Sequence, residues 1–342
     1  MLRQVRITAK HVSLDGSNRV ETWLKRARAV QSLNRMALIA ALLFFGVSAE
    51  AASFILPPSE ETVVGRLQYV ISSAEDTLPD IARRYDLGYD EIIRANPDLD
   101  RWLPGEGSKV LLPSSYILPA APREGIVINI AEQRLYYYPE VSPGTGFPSQ
   151  VAIYPVSIGR IDWETPVMLT RVAEKVIDPV WFPPQSVRKE HDADGQLLPG
   201  RVAPGPDNPL GRYALRLDAP GYLIHGTNKP YGIGMRVTHG CVRLYPEDIE
   251  KIFSQVPVGT VVRIINQPFK AGWESGVLHL EAHPTQEGGG RGMTPMVRTV
   301  VETTRDQPST LVDWQKAMDI AKHRQGIPLP IMVATPDPAG KN

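Results

Sequence analysis

Proline interrupts this chain at short intervals, and that spacing limits the regular structure it can form. Of the 342 residues 32 are proline, and seven of these fall between positions 179 and 209. Proline lacks a backbone N–H and fixes φ, so it breaks long helices and is excluded from central strands. Short β-type runs separate the prolines, and with turn residues between them they predict a sandwich or barrel. These runs lie at 151–158, 166–172, 211–217, 222–225 and 260–265.

A predicted hairpin and one helix complete the mainly β segment, which we place at 123–267. Runs at 126–130 and 133–138 flank a two-residue connection, Ala131-Glu132, and indicate a hairpin. Residues 246–253 predict the one clear helix of the segment, because their apolar side chains share a face.

A separate small unit precedes this segment, at 66–114. A strand is predicted at 67–71 and a returning strand at 109–112. Between them, the apolar spacing predicts helices at 77–85 and 90–96, the second ending before Pro97. The order β-α-α-β describes a compact unit.

The N-terminus carries a basic stretch followed by an apolar one. Residues 1–36 hold eight Lys or Arg against two acidic residues, and an uncharged run of 11 residues follows at 37–47. Crossing a bilayer takes about 20 residues, so the run is short for a membrane span. With small residues after it, the pattern predicts a secretory signal within 1–51, cleaved after Ala49 or Ala51. An uncleaved membrane anchor and a buried core helix are the alternatives.

Charge and cysteine content limit what an exported chain can do. From residue 37 onward there are 29 basic and 35 acidic residues, a net charge of −6. A mildly acidic surface argues against nucleic acid as a partner, because phosphate binding requires a basic one. Exported proteins usually carry cysteines as disulfide pairs, yet Cys241 is the only cysteine here. Its thiol is either an inert buried side chain or a nucleophile.

The residues around Cys241 can assist a thiol. His239, Cys241 and Arg243 alternate along the chain, so in extended backbone they share one face, while Val242 and Leu244 point to the core.

A second histidine lies upstream. An apolar strand at 222–225 ends in His225, 16 residues before Cys241, and a glycine-containing loop connects them. Gly240, beside the thiol, lets another backbone or a substrate come close.

Three interpretations of these residues are open. Cys241 can be the nucleophile of an acyl-transfer enzyme, with one histidine taking its proton and the N–H groups near Gly240 and Cys241 stabilising an oxyanion. Alternatively, His225, His239 and Cys241 bind zinc, although His-x-Cys is not the usual spacing and no fourth ligand is nearby. In the third interpretation, all three side chains are structural.

The stretch "IHGTNKPYGIGMRVTHGCVRLYPEDIEKIF" (224–253) resembles the signature of bacterial L,D-transpeptidases of the YkuD-domain type. Thr238 replaces the commoner serine and keeps a hydroxyl. The likeness covers about 123–275 and includes "INIAEQRLYYYP" (128–139), "YPVSIGRIDWETP" (154–166), "DPVWFPPQSVRKE" (178–190) and "GPDNPLGRYALRL" (205–217).

The resemblance implies a β-sandwich fold and a specific reaction. Cys241 would attack the carbonyl between the L-centre of diaminopimelate and the terminal D-Ala of a peptidoglycan tetrapeptide stem. D-Ala would leave, and an amine from another stem or from an envelope-protein lysine would resolve the thioester. His225 would be the general acid/base, oriented by a backbone carbonyl such as that of Gly226, and His239 would tune the thiol. Which histidine is the base stays open, and no metal or organic cofactor is needed.

Further residues receive roles from the same resemblance. Arg243 would bind stem carboxylates, or instead form a salt bridge with Glu247 or Asp248. Thr238 and Asn228 would be supporting hydrogen-bonding residues, and Tyr231 would line the loop.

The unit at 66–114 resembles a LysM glycan-binding module, although Glu75 stands where that family usually has glycine. It is either a sugar-binding module or a spacer that positions the next domain. The whole is expected to be a periplasmic, monomeric enzyme acting on peptidoglycan stems. The alternatives are a non-catalytic peptidoglycan-binding protein and an L,D-carboxypeptidase or amidase that hydrolyses the thioester.

The segment at 268–342 is less informative. A last strand at 276–283 and a helix at 310–322 are predicted within a partly flexible extension. His279 and His283 are expected to be solvated rather than to bind a metal.

Overall fold

A computed structural model describes residues 52–57, 61–139, 149–285 and 293–333. These all belong to one compact unit, Ala49–Asn342. The predicted signal or anchor at 1–51 lies outside the described residues. Within the described ranges, no helix combines the length and apolarity that a membrane crossing requires.

A small βααβ unit is present in the range predicted for it. The antiparallel strands β3 (Gln68–Ile71) and β4 (Lys109–Leu112) enclose the helices α1 (Leu78–Arg84) and α2 (Tyr89–Ala95). Thr77 caps α1 by accepting from the Asp80 N–H at 3.1 Å. A second antiparallel pair, β2 (Val63–Gly65) and β5 (Ser115–Ile117), joins the unit to the rest of the chain.

Within the described residues, nine strands form the largest sheet. Their order is β1-β8-β7-β6-β15-β10-β11-β12-β14. The strands are β1 (Ala52–Ile55), β6 (Gly125–Asn129), β7 (Arg134–Tyr138), β8 (Gln150–Pro155), β10 (Met168–Ile177), β11 (Tyr213–Leu217), β12 (Leu223–His225), β14 (Val242–Arg243) and β15 (Val261–Ile265). A further pair is made by β9 (Ile158–Gly159) and β13 (Arg236–Thr238).

The sheet curls because β10 belongs to both of its halves. Its first residues pair with β15 and its later residues with β11, with a bulge between Val172 and Glu174. A bulge bends the strand and increases its twist. The mainly β architecture is confirmed, and the two layers expected of a sandwich are halves of one continuous curled sheet.

The hairpin β6–β7 is buried on both faces. Ile126 and Ile128 face the main core, while Val127 packs with Val64 and Tyr116 of the preceding unit. A strand that is buried on both faces carries consecutive apolar residues. This burial explains the apolar runs in the sequences of β6 and β7. The connection is four residues, 130–133, and not the two predicted, with Gln133 at φ 61°.

In the described part of the segment 123–267, two α-helices accompany the sheet where one was predicted. The predicted helix is α4 (Pro246–Gln255), and Ile249 and Ile252 join the core. The helix α3 (Gln185–Ala193) was not predicted. Only Val187 of α3 is buried, so α3 lacks the apolar periodicity that identifies a helix in sequence.

The C-terminal segment has its own core. The strands β16 (Phe269–Glu274), β17 (Val277–Ala282) and β18 (Leu329–Pro330) pack against α5 (Thr294–Thr303) and α6 (Trp314–His323). The predicted strand and helix are present here as β17 and α6.

The expectation that His279 and His283 are solvated is wrong for His283, which is 1% exposed. Its Nε2 lies 2.6 Å from Glu281 Oε1. Glu132, Glu281 and His283 offer ligand atoms within 4.8 Å of one another. Lys270 Nζ, however, lies 2.6 Å from Glu132 Oε2 and 3.1 Å from Glu281 Oε1. The ammonium group therefore supplies the cation that these buried carboxylates need.

Candidate active site

Two short parallel strands position the site. β12 and β14 pair Ile224 with Val242 and His225 with Arg243. Ile224 and Val242 are buried in the main core. Because side chains alternate along a strand, His225 and Arg243 face the opposite side, as does Cys241.

A cavity of about 230 Å³ opens on that side. His225, His239, Cys241 and Arg243 line it together, and Leu244 is buried in the core. The predicted alternation is therefore present. The predicted site residue Thr238 also lines it. The remaining wall is largely apolar and is contributed by Val180, Trp181, Phe182, Pro184, Val187, Pro209, Leu210 and Leu223, together with Arg216 and Gly221.

The Cys241 thiol is protonated at neutral pH. Burial raises its pKa, while a hydrogen bond from the Leu223 backbone and the charge of Arg243 act in the opposite direction. Its Sγ lies 3.6 Å from the Gly221 carbonyl oxygen. Such a thiol needs a base to remove its proton when it reacts.

His225 is an uncharged imidazole. It is 2% exposed, and its Nδ1 lies 2.7 Å from the Gly226 carbonyl oxygen, the partner that the resemblance implies. Burial, together with the charge of Arg243, lowers the pKa of His225 to about 3. With Nδ1–H donating to a carbonyl, Nε2 is the basic atom of the ring.

The His239 ring is held by residues outside the stretch 224–253. Its Nε2 lies 2.8 Å from Glu190 Oε2 on α3, and its ring packs against that of Trp163 in a T-shaped contact with 5.2 Å between centroids. Arg160 Nη1 binds the other oxygen of Glu190 at 2.6 Å. Hydrogen bonds from Arg160 and His239 lower the pKa of Glu190 to about 2, so it is ionised. Sequence reasoning did not single out Glu190, Arg160 or Trp163.

Hydrogen bonds fix the turn that precedes the Cys241 thiol. Thr238 Oγ1 donates to the Cys241 carbonyl at 2.6 Å and accepts from the Gly240 N–H at 3.2 Å. Thr165 Oγ1 donates to the Gly240 carbonyl at 2.9 Å. Gly240 has φ 99°, a conformation that favours glycine. Its N–H is already engaged, so the expectation that it is a free oxyanion donor is not supported.

Asn228, predicted to be a supporting hydrogen-bonding residue, and Tyr231, predicted to line the loop, are not among the residues that line the cavity. Both side chains are exposed, Tyr231 to 63%, on the loop that follows His225. Gly226 contributes its carbonyl to the His225 ring and has no place in the cavity wall.

Arg243 does not form the salt bridge considered as its structural role. Glu247 pairs with Arg83, and Asp248 meets the carboxyl group of Asp86. Among the described residues no carboxylate pairs with Arg243, and its Nε is buried without a hydrogen-bond partner. A guanidinium group at the cavity is therefore available to a bound anion.

The zinc interpretation does not fit this geometry. Nδ1 of His225 and Nε2 of His239 already have oxygen partners. Within the described ranges, the metal-ligating side chains that converge within 4.8 Å are those around His283, and not His225, His239 and Cys241.

A protonated thiol, a neutral imidazole and an available guanidinium at one cavity define a cysteine acyl-transfer enzyme on a mainly β fold. Comparison with known proteins agrees. Residues 123–264 match the family model of the L,D-transpeptidase catalytic domain, YkuD.

Similar proteins are also named as probable L,D-transpeptidases. The chain is 44% identical over 250 residues to the probable L,D-transpeptidase YcfS of Escherichia coli, covering 71% of this chain and 76% of that protein. It is 38% identical to the probable L,D-transpeptidase ErfK/SrfK of Salmonella typhimurium, and the match covers 84% of this chain and 93% of that protein. It is 40% identical to the probable L,D-transpeptidase YbiS of Escherichia coli, and the match covers 84% of this chain and 95% of that protein. The chain belongs to the L,D-transpeptidase family.

Proposed function

We propose that this L,D-transpeptidase acts on peptidoglycan tetrapeptide stems, with Cys241 as the nucleophile. The observation that carries the proposal is the shared cavity, where the thiol lies with neutral His225 and with Arg243. Sulfur attacks the carbonyl that precedes D-Ala, the C–N bond breaks, D-Ala leaves and a thioester forms. An amine then attacks the thioester and restores the thiol.

His225 is the general base in both steps. Its ring accepts the thiol proton as the S–C bond forms and returns it to the departing amine of D-Ala. In the second step the ring accepts a proton from the attacking amine. A pKa of about 3 keeps the resting ring unprotonated, so thiol and imidazole begin as a neutral pair.

His239 and Glu190 support this chemistry. Glu190 fixes the His239 ring beside the thiol and presents a negative charge to it. Since Val187 of α3 and Pro184 just before the helix line the cavity, the Glu190 contact joins the wall to the turn that carries Cys241. Glu190 is a positioning residue in this scheme.

Arg243 binds a carboxylate of the stem. The planar guanidinium group matches a carboxylate in a two-point contact, and the apolar wall near Trp181 and Phe182 accommodates the aliphatic part of the diaminopimelate side chain.

The enzyme works in the periplasm, and the βααβ unit contributes to wall binding as a LysM-like module. An aromatic pair supports the module's role, since Trp102 is 57% exposed and lies 6.4 Å from the ring of the half-buried Tyr89. Aromatic faces of this kind bind the apolar faces of sugar rings.

The test is intact-mass analysis after incubation with a tetrapeptide stem or a carbapenem. Wild-type protein should gain the acyl mass and Cys241→Ser should not. An adduct on Cys241→Ser contradicts the assignment of the nucleophile. Muropeptide analysis of cells with and without the protein then distinguishes 3→3 cross-links, protein attachment and trimmed stems, the last being the result expected of a hydrolase.

A further inference from the structure

The loop between the two histidines of the site has contacts with two parts of the protein. We define the histidine loop as residues 226–235, which follow His225 and lead into β13 and His239. On one side, Ser157 Oγ donates to the Gly232 carbonyl at 2.6 Å, and the Ile158 N–H donates to the Met235 carbonyl at 3.2 Å.

The other contacts come from α2 of the βααβ unit. The Tyr89 N–H donates to the Ile233 carbonyl at 2.8 Å, and the Asp90 N–H donates to the Gly234 carbonyl at 3.3 Å. Tyr89 and Asp90 are the first residues of α2, whose N–H groups have no partner within the helix. Four consecutive carbonyls of the histidine loop are thus held, two of them by the βααβ unit.

Two glycines allow this close approach. A Cβ atom on Gly88 would lie 3.0 Å from Gly234 Cα, and one on Gly234 would lie 2.3 Å from Gly88 Cα. Gly88 has φ −78°, which any residue can adopt. The contact with the histidine loop, and not the backbone conformation, therefore accounts for glycine at position 88.

Buried polar contacts fix the βααβ unit in this position. Glu91 of α2 forms a buried ion pair with Arg134 of β7. Tyr245 Oη donates to the Leu87 carbonyl at 2.9 Å, just before α4. Removing either partner of this ion pair would leave the other charge buried and unpaired, which is costly.

We propose that the βααβ unit is a positioning element of the active site, because α2 holds the histidine loop in the shape that places His225 and His239 around Cys241. The proposal concerns Gly88, Tyr89 and Asp90, which lie outside the residues 123–264 that match the catalytic-domain family model. The βααβ unit is then required for thiol reactivity itself, separately from any binding to the cell wall.

The test is Gly88→Ser in the full chain, with Ala74→Ser as the control at an exposed turn of the same unit. Serine is a better N-cap than glycine, so α2 is not weakened. Its Cβ nevertheless lies only 3.0 Å from Gly234 Cα, so the histidine loop has to shift to make room for it. We expect alkylation of Cys241 by iodoacetamide and acylation by a carbapenem to slow about tenfold or more, since small displacements of catalytic groups have large effects. Hydrogen exchange should accelerate at the amides of the histidine loop.

The alkylation rate reports on the thiol alone and so does not depend on the identity of the natural substrate. If Gly88→Ser fails to fold, Gly88→Ala provides a smaller perturbation at the same contact. A folded Gly88 variant with wild-type alkylation, acylation and loop exchange would overturn the proposal. A change in Ala74→Ser of the same size as in Gly88→Ser would also overturn it.

Discussion

His225 and Arg243 occupy paired positions on the parallel strands β12 and β14, and both side chains face the cavity that holds Cys241. The arginine opposes protonation of the neighbouring ring and adds to the larger effect of burial. The same pairing leaves the guanidinium group open to a bound anion. In the proposed mechanism, one strand register thus serves both proton transfer by His225 and substrate binding by Arg243.

The stability of the protein should fall in mild acid because of His225. The pKa of the folded state is about 3 against 6.5 for an ordinary histidine. Below pH 6.5 the unfolded chain therefore binds a proton that the native ring does not, and native stability declines as pH falls towards 3. Between pH 7 and pH 5 this contribution is about 2 kcal/mol. Urea unfolding at both pH values should show that the loss is smaller by this amount in His225→Gln. Equal losses in the two proteins would contradict a neutral buried ring.

Glu190→Gln should slow acylation about tenfold and change the shape of the pH–rate profile, since the amide keeps a hydrogen-bonding oxygen but removes the charge facing His239. Thermal unfolding should change little, because the carboxylate lies at the surface. Asp192→Asn, two residues further along α3, removes a carboxylate without touching the site and should behave as wild type. Time courses of carbapenem adduct formation across pH measure both variants. If Glu190→Gln keeps the wild-type profile, the ion pair is structural.

Arg243→Gln should raise KM for a tetrapeptide stem by about tenfold or more, and Arg243→Lys should recover part of the loss, because an ammonium keeps the charge but not the two-point contact. A stem whose carboxylates are converted to amides provides the matched comparison. Steady-state kinetics should show that Arg243→Gln and wild type differ little on the amidated stem. An equal loss on both stems would assign Arg243 a role in the fold or in tuning His225.

Lys270→Met should destabilise the protein by about 3–5 kcal/mol, because it leaves the buried carboxylates of Glu132 and Glu281 without their cation. Lys316→Met, at an exposed position of α6, removes the same charge and should change stability by less than about 0.5 kcal/mol. Urea unfolding at pH 7 compares the two. Similar stabilities for both variants would show that the cluster around Lys270 contributes little to holding the C-terminal segment.

The catalytic motif could be predicted from sequence because its geometry is local. Alternation from His239 to Arg243 follows from extended backbone, and the structure has all three side chains at one cavity. The order of elements in the βααβ unit was predictable for a similar reason, since caps and apolar spacing act over a few residues.

Contacts between residues that are distant in the sequence could not be predicted, because they leave no local pattern of residues. Glu190 is 49 residues from His239 and sits on a helix with one buried apolar residue. His283 reads as a polar residue at the end of a strand, and its burial depends on Lys270 and on Glu132 from a distant hairpin. The positions of Asn228 and Tyr231 depend on how the histidine loop packs against α2, which the spacing of residues in the motif does not encode.

Because β12 and β14 run parallel, the chain between them has to return along the length of the strands before it re-enters the sheet. The histidine loop is part of that return path. If α2 has the positioning role proposed for it, lengthening or shortening this loop would shift His225 and His239 relative to Cys241 and so change the reactivity of the thiol, although the pairing of β12 with β14 stayed the same.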